Sequence, residues 1–126
     1  MSDWTDDELR RIGDAQELEI AAVRRDGTVR DSVPIWVVRA GEDLYVRAAS
    51  VPSSGWHRVA RASGRAHIEA AGVEREVAVE DADPQVLDEV DASYRRKYGR
   101  YASIVDSISD EEHRATTLRL VPRQAA

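Results

Sequence analysis

The chain contains no cysteine and no phenylalanine, and it has one methionine and four prolines in 126 residues. Without cysteine it cannot form disulfides, use a thiolate nucleophile or hold a metal through thiolates. No apolar run approaches the roughly twenty residues that a bilayer crossing needs, and the N-terminus is polar and acidic instead of resembling a signal peptide. We therefore expect a cytoplasmic protein with no membrane partner.

Negative charge exceeds positive charge in this chain. The chain has 18 Lys and Arg residues against 24 Asp and Glu, which gives a net charge of -6 and a pI near 5.1. Because affinity for nucleic acids depends on neutralising phosphates with Lys and Arg, we expect no nucleic-acid partner. The hydrophobic fraction of 42% and charged fraction of 33% are typical of a folded domain with a charged surface.

The length is that of one domain. We predict a single domain over 1–126, in which 1–16 form an N-terminal helical segment and 17–123 form a barrel with packed helices.

Common catalytic signatures are missing. The histidines, His57, His67 and His113, stand at spacings that match no zinc motif, so we expect no metal site. The chain has no G-x-S-x-G elbow, no G-x-G-x-x-G sequence and no P-loop. Its acidic pairs fall at helix starts or on a solvent face, where structure explains them. If the protein catalyses a reaction, a bound cofactor would carry the chemistry.

Short apolar segments separated by turn residues predict about six strands. Asp26-Gly27 indicates a hairpin between segments 17–25 and 29–40, and further strands are expected at 44–49, 65–71, 73–81 and 116–121. The segment 34–38 is apolar on both faces, which is typical of a central strand. However, Pro34 cannot donate to a ladder and indicates an open edge or a bulge. The expected fold is α+β: a small antiparallel β-barrel of about six strands with peripheral helices.

Capping signals predict the helices. Thr5 and Glu8 form a capping box for a first helix that we expect to end at Gly13. A short basic helix is expected from Trp56 to Gly64. The longest helix follows Asp83-Pro84 and runs to residue 99, with one apolar stripe formed by Val86, Leu87, Val90, Tyr94 and Tyr98. The segment 101–109 is predicted to be irregular, and 110–112 reads as an acidic helix start.

The stretch 29–62 is the candidate site, because it combines two strands, a Ser/Gly-rich loop and a basic helix start. A helix N-terminus with hydroxyl groups in front of it and arginines beside it can hold a phosphate. The alternative is ordinary loop chemistry, since Ser and Gly are common in any strand-to-helix connection. Both interpretations stay open on the residues alone.

Three segments carry a resemblance to a known superfamily: Val33-Pro34-Ile35-Trp36-Val37-Val38, Leu44-Tyr45-Val46-Arg47-Ala48-Ala49-Ser50 and Gly55-Trp56-His57-Arg58. They resemble the strand, strand, loop and helix start of the FMN-binding split-barrel superfamily, which includes pyridoxamine-phosphate oxidases and deazaflavin-dependent nitroreductase-like proteins. From about Glu17 to Arg123 the chain is similar to domain-of-unknown-function family 2255 of that superfamily.

The resemblance implies a homodimeric split barrel that holds FMN or a deazaflavin coenzyme against its central strands. Ile35, Trp36 and Val37 would meet the ring system, and Arg30 would add positive charge. The residues expected around the phosphate or ribityl chain are Arg47, Ser50, Ser53, Ser54, Trp56 and Arg58. The lysine and asparagine of the deazaflavin-type pattern are replaced here by Val51 and Val59.

Two functions follow. The first is a flavin- or deazaflavin-dependent oxidoreductase acting on an unknown small molecule, with Trp36 and Trp56 framing the ring slot. The second is a non-catalytic ligand-binding split barrel. The three tryptophans and four tyrosines, in a chain without phenylalanine, also suggest that large rings lie at a homodimer interface.

Overall fold

A computed structural model of the protein describes residues 4–49 and 55–123. Its strands are β1 (Leu18–Ala22), β2 (Val33–Ile35), β3 (Val38–Ala40), β4 (Asp43–Val46), β5 (Arg65–Ala70), β6 (Val73–Asp81) and β7 (Leu118–Pro122). Its α-helices are α1 (Asp6–Asp14), α2 (Gly55–Ser63), α3 (Leu87–Tyr98), α4 (Ala102–Ile108) and α5 (Glu111–Arg114). Single 3₁₀ turns at Pro84–Val86 and Gly99–Tyr101 flank α3.

The strands of the described residues form one seven-stranded antiparallel sheet in the order β2-β1-β5-β6-β7-β4-β3. Its two edge strands, β2 and β3, are separated in the chain only by Trp36 and Val37. Because so short a connection spans only about 10 Å even when extended, the sheet has to curl until its edges are close. This confirms the predicted α+β antiparallel split barrel, with seven strands in place of about six.

The prediction of one central strand over 34–38 is wrong. The chain leaves the hydrogen-bonded ladder at Trp36 and Val37. The residues on either side of this break belong to the edge strands β2 and β3, and none of them lies in a central strand. Side chains of α3 replace strand partners there: the Val37 N–H donates to the Tyr98 hydroxyl at 3.3 Å, and Lys97 Nζ donates to the Val37 carbonyl at 2.7 Å. Pro34 lies opposite Glu19 on the edge strand β2, so the predicted open edge is confirmed.

The Asp26-Gly27 hairpin is confirmed. Val23 and Val29 form an antiparallel bridge, and the Asp26 carboxylate accepts hydrogen bonds from both the Thr28 N–H and the Thr28 hydroxyl, at 2.9 and 2.7 Å. These two bonds lower the pKa of Asp26. The turn chemistry therefore sets the register of β1 against β2.

The helix predictions are largely confirmed. Thr5 and Glu8 form the expected capping box, but α1 continues through Gly13 and ends at Asp14. The α2 helix ends before Gly64, which adopts a positive φ of 72°. The segment predicted to be irregular contains α4, which packs Val105 and Ile108 into the core.

Two apolar clusters hold the fold together. One fills the barrel with residues from the strands, α1 and α2, including Leu9, Ile12 and Ala60. The other lies under α3 and α4 and contains Val90, Tyr94 and Tyr98. No helix in the part of the chain described is long and apolar enough to cross a bilayer.

Candidate functional site

A pocket of about 390 Å³ opens between the β2 edge, the end of β4, and helices α2, α3 and α4. Its walls are mostly apolar, with three polar or charged side chains among them. The lining residues are Glu17, Val33, Pro34, Ile35, Trp36, Arg47, Ala49, Trp56, Tyr94, Ile104 and Ile108. Concave, mainly apolar cavities with a few placed polar groups are the usual form of small-molecule sites.

Two tryptophans line this pocket from different parts of the fold. Trp36 leaves the barrel edge and stacks on Tyr98, with ring centroids 4.0 Å apart and planes 1° from parallel. Trp56 lies in the first turn of α2 and meets the ring of His57 edge-on at 5.4 Å. Both indoles are half-buried and line the pocket. Aromatic faces arranged in this way can hold a planar ring.

The Arg47 side chain forms a rigid, charged part of the wall. Only 4% of this residue is exposed, and its guanidinium donates to the Thr117 hydroxyl at 2.8 Å and to the Ile108 carbonyl at 3.0 Å. An ion pair of 2.7 Å joins it to Asp91, and its Cζ lies 5.2 Å from the Tyr94 ring centroid. The charge is therefore largely committed to the protein, and it still contributes a positive potential at the wall.

The Tyr94 hydroxyl is a buried polar group with no hydrogen-bond partner among the described residues. Burial raises the pKa of this phenol well above its usual value, and the nearby Arg47 opposes the shift only in part. The backbone of Arg47 also opposes the rise in the Tyr94 pKa, by a smaller amount. An orphaned buried hydroxyl costs stability, and a ligand atom in the pocket could satisfy it.

A second arginine, Arg30 from the segment before β2, lies beside the first residue of α2. The guanidinium of Arg30 lies so close to Gly55 that a Cβ at that position would overlap it. Within the described ranges, Arg30 forms no ion pair with a carboxylate. The half-buried Arg30 guanidinium therefore lies beside Gly55, the residue that precedes Trp56. A helix N-terminus also favours anions, so both features place positive potential at the start of α2.

His57 serves the structure and not the pocket. It is buried, and its Nε2 lies 2.8 Å from the Thr116 carbonyl, so Nε2 carries the proton. Burial lowers the pKa of His57 below its usual value, with a smaller opposing effect from Thr116. In the described residues no group of His, Cys, Asp and Glu side chains could hold a metal ion.

The structure brings together four of the predicted site residues: Ile35, Trp36, Arg47 and Trp56 all line the pocket. Val37 does not line it, because its side chain is fully buried in the barrel core. Arg58 is exposed on α2 away from the lining, and Arg30 lies beside Gly55. The predicted contacts of Ser50, Ser53 and Ser54 lie outside the described residues.

The sequence did not identify the wall formed by α3 and α4. Tyr94 was assigned only to the apolar stripe of the long helix, and Ile104 and Ile108 belong to the helix that was not predicted. One sequence feature does point to this wall. Tyr94 lies four residues before Tyr98, so both rings fall on one face of α3.

Together, the curled seven-stranded sheet and its packed helices define an α+β split barrel. Residues 8–120 match the family model described as "Uncharacterized protein conserved in bacteria (DUF2255)", and the chain belongs to that family. No curated protein sequence matches the chain significantly.

Solved structures with the same fold come from several bacteria. HutZ, the heme storage protein from Vibrio cholerae, is 15% identical with a TM-score of 0.65, covering 95% of this chain and 91% of HutZ. A FAD-binding protein from Mesorhizobium loti is 16% identical with a TM-score of 0.57, covering 96% and 91%. A FAD and heme binding protein from Mycobacterium smegmatis is 19% identical with a TM-score of 0.54, covering 96% and 75%. At these identities the likeness concerns the fold alone.

Proposed function

We propose that the pocket binds the ring system of a flavin or deazaflavin coenzyme, and that the protein is an oxidoreductase acting on a small molecule. The observation that carries the proposal is the pairing of two tryptophan walls with the orphaned Tyr94 hydroxyl. The flat indoles suit a planar heterocycle, and the hydroxyl suits a polar atom at the edge of one. The pocket volume of about 390 Å³ lies near the lower end of the range for ligand sites.

When bound, a flavin-type ring supplies hydride or electron transfer. The chain's own residues bind and orient it. Trp36 is held in place by its stack on Tyr98, so the plane of its ring is fixed relative to the barrel edge. Arg47 is fixed by Asp91 and Thr117 and places a positive charge at the wall, where it favours an electron-rich ligand. Ile104 and the buried Ile108 give this part of the wall an apolar surface.

The phosphate end of the coenzyme is assigned to the start of α2. Arg30 offers a guanidinium without a described carboxylate partner, and the helix start adds a favourable dipole. Arg58, in the same first helical turn, is exposed and extends the positive field. Of the predicted anchors, we retain Arg30 and Arg58 for the phosphate and assign Arg47 to the ring end.

The fold neighbours include both FAD-binding and heme-binding proteins by name. The described walls of this pocket carry no histidine, cysteine or methionine that could ligate heme iron. Tyrosine can also ligate heme iron as the phenolate, but burial raises the pKa of Tyr94 and disfavours that form. A ring held by stacking and hydrogen bonds therefore fits this donor set better than an iron macrocycle.

A dimer also forms part of the proposal. Tyr101 and Ile104 are large apolar residues with 37% and 49% of their surface exposed, and both belong to the wall region beside Trp36. A second copy covering this region would remove them from water and enclose the pocket. Light scattering at micromolar concentration would reveal the dimer, and a monomer would contradict this part.

Fluorescence titration with FMN and with a deazaflavin coenzyme tests the proposal. We expect strong quenching of tryptophan emission in the wild type, and weaker quenching with lower affinity in Trp36→Leu. Trp4→Phe is the matched control, because Trp4 is buried in the barrel cluster and bonds to the Leu120 carbonyl away from the pocket. Confirmed binding with unchanged quenching in Trp36→Leu would place the ring elsewhere.

A further inference from the structure

A second cavity, which shares no lining residue with the first pocket, has three basic residues among its seven lining residues. It has a volume of about 240 Å³ and lies between the last turn of α1, strand β3 and helix α3. Its walls are Gly13, Asp14, Val38, Arg39, Ser93, Arg96 and Lys97. Three cations therefore face one carboxylate, in a protein whose overall net charge is -6.

These cations are not neutralised by the protein. Many of the described arginines form ion pairs, including Arg10, Arg11, Arg61, Arg65, Arg75, Arg95 and Arg119. In the described ranges, no carboxylate lies within ion-pair distance of Arg39, Arg96 or Lys97. Because the chain has more carboxylates than basic residues, a shortage of carboxylates does not explain why these three cations lack ion-pair partners.

Several contacts hold the cluster in place. Arg39 Nε donates to the Gly41 carbonyl at 2.9 Å, and Arg96 Nη2 donates to the buried Ser93 hydroxyl at 3.0 Å. Lys97 Nζ donates to the Val37 carbonyl at 2.7 Å and lies 5.0 Å from the Tyr98 ring centroid. Each head group retains further N–H donors, because guanidinium has five and ammonium has three.

Helix α1 comes close to this cluster because it has a glycine at the contact. A Cβ on Gly13 would lie 3.3 Å from the Cβ of Arg39, which is tighter than ordinary packing. The close approach brings Asp14 to the rim and narrows the cavity. Its volume is below the roughly 300 Å³ at which drug-sized ligand sites begin, which favours a small ligand.

We propose that this cavity is a second binding site, specific for a small anion that carries a phosphate group and held by Arg39, Arg96 and Lys97. The two guanidiniums can each present paired donors to phosphate oxygens, and Lys97 adds a point charge. The overall negative charge of the protein does not prevent this, because charges more than about 8 Å away are screened at physiological salt. The site is independent of the ring pocket, which shares none of these residues.

Lys97 makes the proposal measurable, since it is the only lysine in the chain. Burial lowers the pKa of Lys97 to about 8, and Asp14 opposes the shift in part. A bound phosphate favours the charged amine and raises this pKa. By linkage, the anion binds more tightly when Lys97 is protonated, so affinity falls as the pH rises through about 8. The other charged groups facing the amine are Asp14, Arg39 and Arg96.

The experiment uses the full chain expressed with ¹³C-labelled lysine, so that a single Cε signal reports the charge of Lys97 while the amine keeps its N–H donors. Inorganic phosphate and glycerol phosphate are titrated at constant ionic strength, with sodium chloride as the reference. We expect a saturable shift of the Lys97 signal and a higher Lys97 pKa in phosphate. A tighter response to glycerol phosphate identifies an organic phosphate as the ligand, whereas an equal response identifies free phosphate.

Variants separate the site from a general charge effect. Arg39→Gln and Arg96→Gln should each weaken phosphate binding about tenfold, the loss of one charge-assisted hydrogen bond. Arg95→Gln is the matched control, because Arg95 neighbours Arg96 in sequence but pairs with Asp106 on the exposed side of α3. It should stay within about twofold of wild type. No saturable Lys97 shift, or an equal loss in Arg95→Gln, overturns the proposal. If one variant unfolds, the other decides.

Discussion

Replacing Arg47 should destabilise the protein, because this buried cation connects three parts of the fold. Its guanidinium bonds to Thr117 next to β7, to the Ile108 carbonyl at the end of α4, and to Asp91 on α3. In Arg47→Ala these groups lose their partner, and the Asp91 carboxylate keeps only Arg114 at 3.2 Å. The affected groups are buried or partly buried, so water can compensate only in part.

The size of the effect can be worked out from these contacts. Breaking one side of a buried ion pair typically costs about 3 to 5 kcal/mol. The retained Arg114 partner and the partial exposure of Asp91 place Arg47→Ala at the low end, about 3 kcal/mol. For a domain of this length that lowers Tm by roughly 10 °C. Urea unfolding followed by tryptophan fluorescence measures the free energy directly.

Two comparisons make this prediction sharp. Arg58→Ala removes an exposed arginine with no described ion pair and should change stability by less than about 0.5 kcal/mol. A double-mutant cycle with Arg47→Met and Asp91→Asn should give a coupling energy of about 1 kcal/mol or more. An Arg47→Ala loss no larger than that of Arg58→Ala would refute the structural role assigned to Arg47.

Two further predictions concern His57 and Gly55. Burial lowers the pKa of His57 in the folded protein below its unfolded value near 6.5, so the unfolded chain binds the proton more readily. The contribution of neutral His57 to the free energy of unfolding is therefore fully present above about pH 6.5 and is lost as the pH falls below that value. Urea midpoints between pH 8 and pH 5 should show this loss, and His57→Gln should reduce the slope; an unchanged slope would assign the titration to other groups. In Gly55→Ala the new Cβ displaces the Arg30 guanidinium, so coenzyme affinity should fall while stability changes by less than about 1 kcal/mol, since the flexible end of Arg30 can move. If Gly55→Ala and the wild type bind the coenzyme equally well in the fluorescence titration, Arg30 does not contact the coenzyme.

Local chemistry predicted much of the fold. The capping box at Thr5, the turn at Asp26-Gly27 and the apolar stripe through Val90, Tyr94 and Tyr98 each act within a few residues, and each is confirmed. The break at Trp36 and Val37 could not be predicted this way. The backbone there is satisfied by Tyr98 and Lys97, about sixty positions along the chain, and such long-range partners leave no periodic trace.

The candidate site shows the same division. Trp36 and Trp56 were identified because each follows a strong local signal, a strand proline and a helix start. For Arg47, the resemblance implied a position beside the phosphate or ribityl chain. Its burial depends on Asp91 and Thr117, which reach it from α3 and from the start of β7. The Tyr94 hydroxyl is likewise recognised as a candidate binding group only in the folded structure, where it is buried without a described hydrogen-bond partner.

The visible absorption spectrum of the protein, taken after loading with excess FMN or a deazaflavin coenzyme and desalting, tests the proposed function most directly. We expect a stoichiometric chromophore with one of the two coenzymes, and its retention should drop in Trp36→Leu, whose fold is kept. A colourless protein after loading with both coenzymes would contradict the account and favour the alternative of a non-catalytic ligand-binding barrel.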